Sequence, residues 1–222
     1  MGVPLSRNRP FLLLWIGQGV SQLGNQFTGL ALPLIAVITL HATAAQMGLL
    51  GAMGTLPFLL FGLLVGVWVD RHRKRPVLIA GDLGRGAIVL TIAGLAVAGL
   101  LSVLQLYVLG FLTGILTVFF DITYQAYVPA LVDRAQLVAA NTRLEGTNSS
   151  AVVGGPILAG YAIQFFSAPF AMVFDAFTFL FSSATLLRIR KPELAADPLE
   201  RRSVVHDLRE GLRAVFGDRR LW

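Results

Sequence analysis

The stretch Gly66-Val67-Trp68-Val69-Asp70-Arg71-His72-Arg73-Lys74-Arg75 decides how this chain is read. Its second half is dense in charge, and an apolar span lies on either side. Ala45 to Val69 contains no charged residue, and Pro76 to Leu101 contains only Asp82 and Arg85. A helix needs about 20 residues to cross a hydrocarbon core of about 30 Å, and both flanks are long enough. A short basic turn between two such helices anchors topology, because Lys and Arg are retained on the cytoplasmic side of a bilayer.

Working outward, six apolar spans are predicted: 11–40, 45–69, 76–101, 104–127, 141–166 and 169–187. The first exceeds the thickness of a bilayer core, so it tilts or projects, and Pro33 is placed to bend it. The turns around His41–Ala44, Ser102–Val103 and Ser167–Ala168 hold no Lys or Arg. The remaining connections hold Arg7 and Arg9, then Arg71 to Arg75, then Arg134, then Arg188 to Lys191. The alternation predicts an all-α integral membrane protein, a bundle of six transmembrane helices over residues 1–191 with both termini cytoplasmic. Polar Gln18, Gln22 and Gln26 follow the basic N-terminus without a small-residue cleavage site, so the first span reads as a retained helix rather than a signal peptide. Residues 192–222 read as a cytoplasmic connector with a basic amphipathic helix suited to an anionic membrane surface. The final Leu221-Trp222 reads as the opening of a further span.

Composition agrees with a lipid environment. Hydrophobic residues make up 55% of the 222, charged residues 14%, and mean hydropathy is +0.72, against about 25% charged in soluble domains. The net charge of +6 sits in the loops, so it marks topology and not a nucleic-acid surface. Cysteine is absent and the three histidines stand apart, which excludes disulfides and leaves no metal site in view. Gly81-Asp82-Leu83-Gly84-Arg85-Gly86 lacks the Lys-Ser/Thr ending of a nucleotide loop. With no nucleophile–base pair either, the chain reads as neither an enzyme nor a cofactor carrier.

Charged and polar residues inside the spans are the candidates for function, because a charge at mid-bilayer costs about 2.5–3.5 kcal/mol on insertion scales. Thr113, Thr117, Asp121 and either Tyr124 or Gln125 share one face of the fourth span. Asp121 reads either as a proton-coupling carboxylate or as the partner of Arg85 or Arg143. Asp175, on a face with Thr178 and Ser182, carries the same two readings, with structural pairing favoured. Gln18, Ser21, Gln22, Asn25 and Gln26 form a polar stripe on the first span; it faces a substrate cavity or hydrogen-bonds between helices. Asp82 and Arg85 are spaced to pair on one helix. Together with Arg143, Glu145 and Asp70 they are predicted to form a charge cluster at the inner ends of the helices, a gate or structural network. Asp70 ends its helix against the dipole and calls for the cations beside it.

Two of these stretches carry a resemblance. Gly66 through Arg75 resembles the loop between the second and third helices of the major facilitator superfamily, with Gly66, Trp68, Asp70, Arg71, Lys74 and Arg75 on the motif and Arg73 in place of its usual glycine. Gly155-Pro156-Ile157-Leu158-Ala159-Gly160 resembles the antiporter motif of that family's exporters. In residue terms alone, the first stretch is also a topology anchor and the second a helix-packing kink. With Ser21-Gln22-Leu23-Gly24, Phe120-Asp121, Tyr124-Gln125, Pro129, Asn141 and Phe174 to Phe179, nearly the whole chain is similar to the macrolide-efflux and siderophore-export branch.

The resemblance implies the N-terminal half of a twelve-helix transporter of the plasma membrane. The basic loop then acts as a conformational latch, and alternating access operates between this bundle and a missing C-terminal six-helix half. Helices one and four line the substrate path, and proton entry drives export of small amphiphilic compounds. The alternatives are an importer of a small metabolite, or a stand-alone six-helix scaffold or half-transporter dimer. Accumulation with and without an uncoupler separates importer from exporter, and a denaturing gel of the native polypeptide separates the half-transporter from the stand-alone bundle. The half-transporter reading expects about twice the 23.9 kDa of this chain, and a product of 23.9 kDa supports the stand-alone bundle.

Overall fold

A computed structural model describes residues 4–191. The connector helix expected over 192–222 lies outside the described residues. Six long helices dominate: α1 (Arg9–Leu34), α2 (Ala44–Asp70), α3 (Lys74–Val97), α4 (Val103–Leu131), α5 (Leu137–Phe165) and α6 (Ala168–Arg188). No strand occurs among the described residues. A π-helical turn, Ile35–Thr39, extends α1 just past Pro33, where the missing donor of proline loosens the backbone ladder.

Local chemistry sets the ends. Thr43 with Gln46, and Ser102 with Gln105, form reciprocal capping boxes at the starts of α2 and α4. Gly99, at φ +67°, ends α3 in the left-handed conformation that glycine adopts without strain. Asn8 caps α1 by accepting from the Phe11 amide (3.2 Å), and its Nδ2 donates to the Leu131 carbonyl at the end of α4 (2.9 Å).

α1 packs on α6 and α5, α3 on α6 and α4, and α2 on α4. α2 and α5 therefore flank the arrangement and carry exposed apolar faces, with Leu59 84% and Val153 75% exposed. α2, α3, α4 and α6 are long and apolar enough to cross a membrane. α1 and α5 fall outside that set, and they carry the glutamine stripe and the Asn141 to Asn148 segment.

Two apolar clusters fill the ends of the bundle. One gathers Phe11, Leu14, Leu78, Phe120, Tyr127 and Leu186. The other gathers Phe27, Ala31, Val89, Ile92, Leu106, Met172 and Phe179. Along α1 and α3 buried polar residues lie between these clusters: Gln18 and Ser21, and Asp82 and Arg85. On α6 Ser182 lies between them, while Asp175 and Thr178 alternate with Met172, Ala176 and Phe179 of the second cluster. The bundle thus has a buried polar layer that on α6 extends into one of the apolar clusters.

Close approach of α1 to α6 depends on glycine. A Cβ on Gly17 would strike the Thr185 hydroxyl, and one on Gly24 would strike Thr178 and stand 2.6 Å from Asp175 Oδ1. Such small-residue seams let helices meet in lipid. Gly24→Leu is expected to cost about 1–3 kcal/mol through overpacking. Gly29→Leu, where a Cβ meets nothing within 4 Å, should leave thermal unfolding in detergent unchanged within about 0.5 kcal/mol. Equal melting temperatures for the two variants would disprove the tight α1–α6 seam.

Candidate functional site: a buried polar layer and its cleft

Arg85 stands at the centre of the polar layer. Its Nη2 donates to Asp82 Oδ1 at 2.6 Å, with side-chain exposures of 5% and 0%. The guanidinium lies over the ring of Phe120 from α4 (4.0 Å) and near that of Phe179 from α6 (4.7 Å). Aromatic faces stabilise a cation through their quadrupoles, most strongly where water is excluded. Asp121 on α4 and Asp175 on α6 are both within electrostatic reach of Arg85. One buried cation, paired with Asp82, thus has carboxylates of two further helices within electrostatic reach.

Asp175 is 1% exposed, and its Oδ1 accepts from the Thr178 hydroxyl at 3.2 Å. Ser182 stands beside Asp82 and accepts from Gln18 Nε2 at 3.2 Å, which joins α1 to the layer. Asp82 Oδ2, Arg85 Nε and Asp175 Oδ2 lack a hydrogen-bond partner among the described residues. A layer only partly satisfied in one arrangement is suited to exchanging partners in another.

A cleft of about 70 Å³ adjoins the layer between α1, α4 and α5, lined by Trp15, Gln18, Gly19, Gln22, Tyr124, Leu144, Glu145, Thr147 and Asn148. Trp15 Nε1 donates to Thr147 Oγ1 at 2.8 Å, and Arg143 lies 5.9 Å from the Trp15 ring. Asn148 Nδ2 donates to Glu145 Oε1 at 3.2 Å. Chemically, the cleft offers amide and hydroxyl groups, one carboxylate and an indole face.

The placements differ from the sequence expectations in several ways. The polar stripe of α1 does not share one environment. Gln18 is buried against α6, Gln22 lines the cleft, and Gln26 packs on Gly155 of α5 so tightly that a Cβ there would overlap it. Asn25, Thr117 and Asp121 are half-buried and lie outside the cleft lining.

The expected inner-end charge cluster is divided. Asp82 and Arg85 are enclosed between α3, α4 and α6, while Asp70, Arg143 and Glu145 are exposed. The reason is packing: α3 seats on α4 and α6, whereas α5 seats on α1. Asp121 has neither Arg85 nor Arg143 as an ion-pair partner, since Arg85 pairs with Asp82 and Arg143 turns to Trp15. Asp70 forms no ion pair among the described residues. In the basic loop, His72 stacks on Trp68 at 3.9 Å, and its Nδ1 donates to the Trp68 carbonyl at 2.7 Å.

Arg75 makes contacts that the sequence did not suggest. Its Nε donates to the Leu186 carbonyl at 2.7 Å and an Nη to the Leu187 carbonyl at 2.5 Å, capping the end of α6. Of the antiporter-like stretch, Gly155 is the close contact, while Pro156 is exposed and Gly160 has open space around it. Sequence reasoning also missed Trp15, Thr147, Asn148 and Thr185. Thr185 continues the spacing of Asp175, Thr178 and Ser182, and that periodicity was its available signal.

Truncating Arg85 should strand Asp82 in the layer. Arg85→Ala is expected to destabilise the bundle by about 3–5 kcal/mol, and the paired apolar replacement Asp82→Leu/Arg85→Met to recover most of it. Thermal unfolding in detergent checks this, and a tolerated Arg85→Ala would contradict the hub role.

Comparison with known proteins places these features in a family. A family model described as Major Facilitator Superfamily matches residues 14–222. Macrolide efflux protein A of Streptococcus pyogenes is 24% identical over 209 residues, covering 91% of this chain and 50% of that protein. The MFS-type transporter YfiS of Bacillus subtilis (strain 168) is 26% identical over 216 residues, covering 96% and 51%. Macrolide efflux protein A of Enterococcus faecalis is 26% identical over 167 residues, covering 72% and 50%. The chain spans about half the length of the curated relatives it matches.

Proposed function

We propose that this chain, which belongs to the Major Facilitator Superfamily, forms the N-terminal half of a proton-coupled exporter of small amphiphilic compounds in the plasma membrane. The observation that carries the reading is the polar layer with its adjoining cleft, built from α1, α3, α4, α5 and α6 in an otherwise apolar bundle. Polar side chains at membrane depth belong against a cavity or a partner.

In this reading all six helices cross the bilayer, with both termini cytoplasmic. α1 and α5 are the least apolar because one face of each borders the path and not lipid. A second six-helix half, in the same polypeptide or from a second copy, covers the exposed faces of α2 and α5. The bundles rock about the mid-membrane site, and Gln22 with the Trp15 ring contacts the guest. The efflux relatives support export as the direction and macrolide-sized compounds as the first class to assay.

Asp121 and Asp175 are the coupling carboxylates, with Asp121 the more accessible. Both lie within electrostatic reach of Arg85, the buried cation of the polar layer, so proton binding at either changes the charge balance of the layer. That gives the gradient a lever on the packing of α3, α4 and α6. The loop residues Gly66, Asp70, Arg71 and Lys74 act in the latch between the two halves.

Asp121→Asn in the whole transporter tests the coupling. Macrolide accumulation in energised cells should rise to the level of uncoupler-treated cells, while yield and thermal unfolding stay as in the parent. Gradient-driven efflux at the parent rate in that variant would remove Asp121 from the coupling role.

A further inference from the structure

A second cleft lies apart from the polar layer, between the start of α1 and the end of α6. It has a volume of about 470 Å³ and is lined by Arg9, Pro10, Leu13, Leu187, Arg188, Arg190 and Lys191. Four of these seven are cations, and none is an acid. Among the described residues none of the four cations is in an ion pair.

Their charge is not taken up in ending α6 either. The Leu186 and Leu187 carbonyls already accept from Arg75, a cation reaching in from the α2–α3 loop. The other wall is apolar, with Leu187 58% exposed, so the cleft joins a cationic pocket to a greasy surface. A free inorganic anion uses only the first of these. A phospholipid uses both, placing its phosphate among the guanidiniums and its acyl chains along Pro10, Leu13 and Leu187. Arginine matches a phosphate through paired parallel hydrogen bonds, and basic pockets beside membrane helices favour anionic headgroups.

We infer that this cleft binds the phosphate of an anionic phospholipid at the bilayer surface, bridging the ends of α1 and α6. The site is separate from the transport path and requires only that the bundle sit in a membrane. A bound lipid there ties the first helix to the last at one end, in parallel with the Arg75 cap.

Native mass spectrometry of the full chain in detergent tests it, with phosphatidylglycerol and phosphatidylcholine of matched acyl chains as probes. The unmodified chain should retain phosphatidylglycerol at concentrations where phosphatidylcholine is lost. Arg9→Gln/Arg190→Gln should weaken phosphatidylglycerol binding by about 30-fold, taking about tenfold per 1.4 kcal/mol and roughly 1 kcal/mol per surface cation. Arg73→Gln/Arg134→Gln removes two exposed cations outside the cleft and should change binding less than about threefold, because the attraction of a surface cation falls off within a Debye length.

Absence of headgroup preference in the unmodified chain overturns the proposal without recourse to any variant. Equal losses in the two double variants overturn it in favour of general surface attraction. Displacement of phosphatidylglycerol by an equal concentration of inorganic phosphate overturns the lipid assignment in favour of a free-anion site.

Discussion

A single buried guanidinium organises this bundle. Arg85 lies near the middle of α3, where water cannot solvate it, and an unpaired charge at that depth would be costly. Each helix around it supplies part of the compensation. α3 gives Asp82 at 2.6 Å, α4 gives the Phe120 face and the nearby Asp121, and α6 gives Phe179 and Asp175. These groups compensate only while the three helices hold their relative positions. The polar layer therefore fixes registry in a way that the two apolar clusters, made of interchangeable aliphatic contacts, cannot. It is also the part of the bundle whose hydrogen bonding is least complete, so the element that sets the packing is the one most able to change it.

The division between strongly apolar and less apolar helices follows from that layer. α3 and α6 enclose their polar groups and keep apolar residues outward, so they remain membrane-competent by composition. α1 cannot do this, because it meets α6 on one side and α5 on the other. Gln18 serves the first contact and Gln22 and Gln26 the second. α5 receives that second face through Thr147 and Gly155. Small residues at these contacts replace the interdigitation that larger side chains provide in water-soluble cores.

Much of the fold was legible because its signals are local. The basic loops, the cation-free turns and the apolar spans are each read from adjacent residues, and the helices begin and end close to where those signals stand. The Asp82–Arg85 pair was legible for the same reason, being three residues apart. What was not legible depends on distance or rotation. Arg75 meets α6 across 111 residues, and nothing in its own loop announces that contact. The glutamine stripe misled through geometry. A spacing of four on a helix of 3.6 residues per turn drifts about 40° each step, so residues 18, 22 and 26 rotate through about 80° and reach different neighbours. The inner-end cluster was over-grouped because sequence supplies depth along each helix but not which helices touch.

The contacts between α3 and α6 bear on how such a bundle can move. Alternating access by rocking requires each six-helix unit to behave as one body, although connected hairpins in lipid have little hydrophobic drive to stay together. α3 and α6 are joined at two depths. At one end Arg75 caps the last carbonyls of α6. In the middle Arg85 lies against Phe179. Beside it, Gly86 lets α3 close on Ala176 and Phe179, where a Cβ would already be at 3.4 Å from the Phe179 side chain. Contacts at two depths resist both splaying and sliding, which no single contact does. One cation of the basic loop is thereby committed inside its own bundle. Arg75 and Arg85 ride on the same helix, so the anchor of the loop and the hub of the polar layer belong to one rigid element.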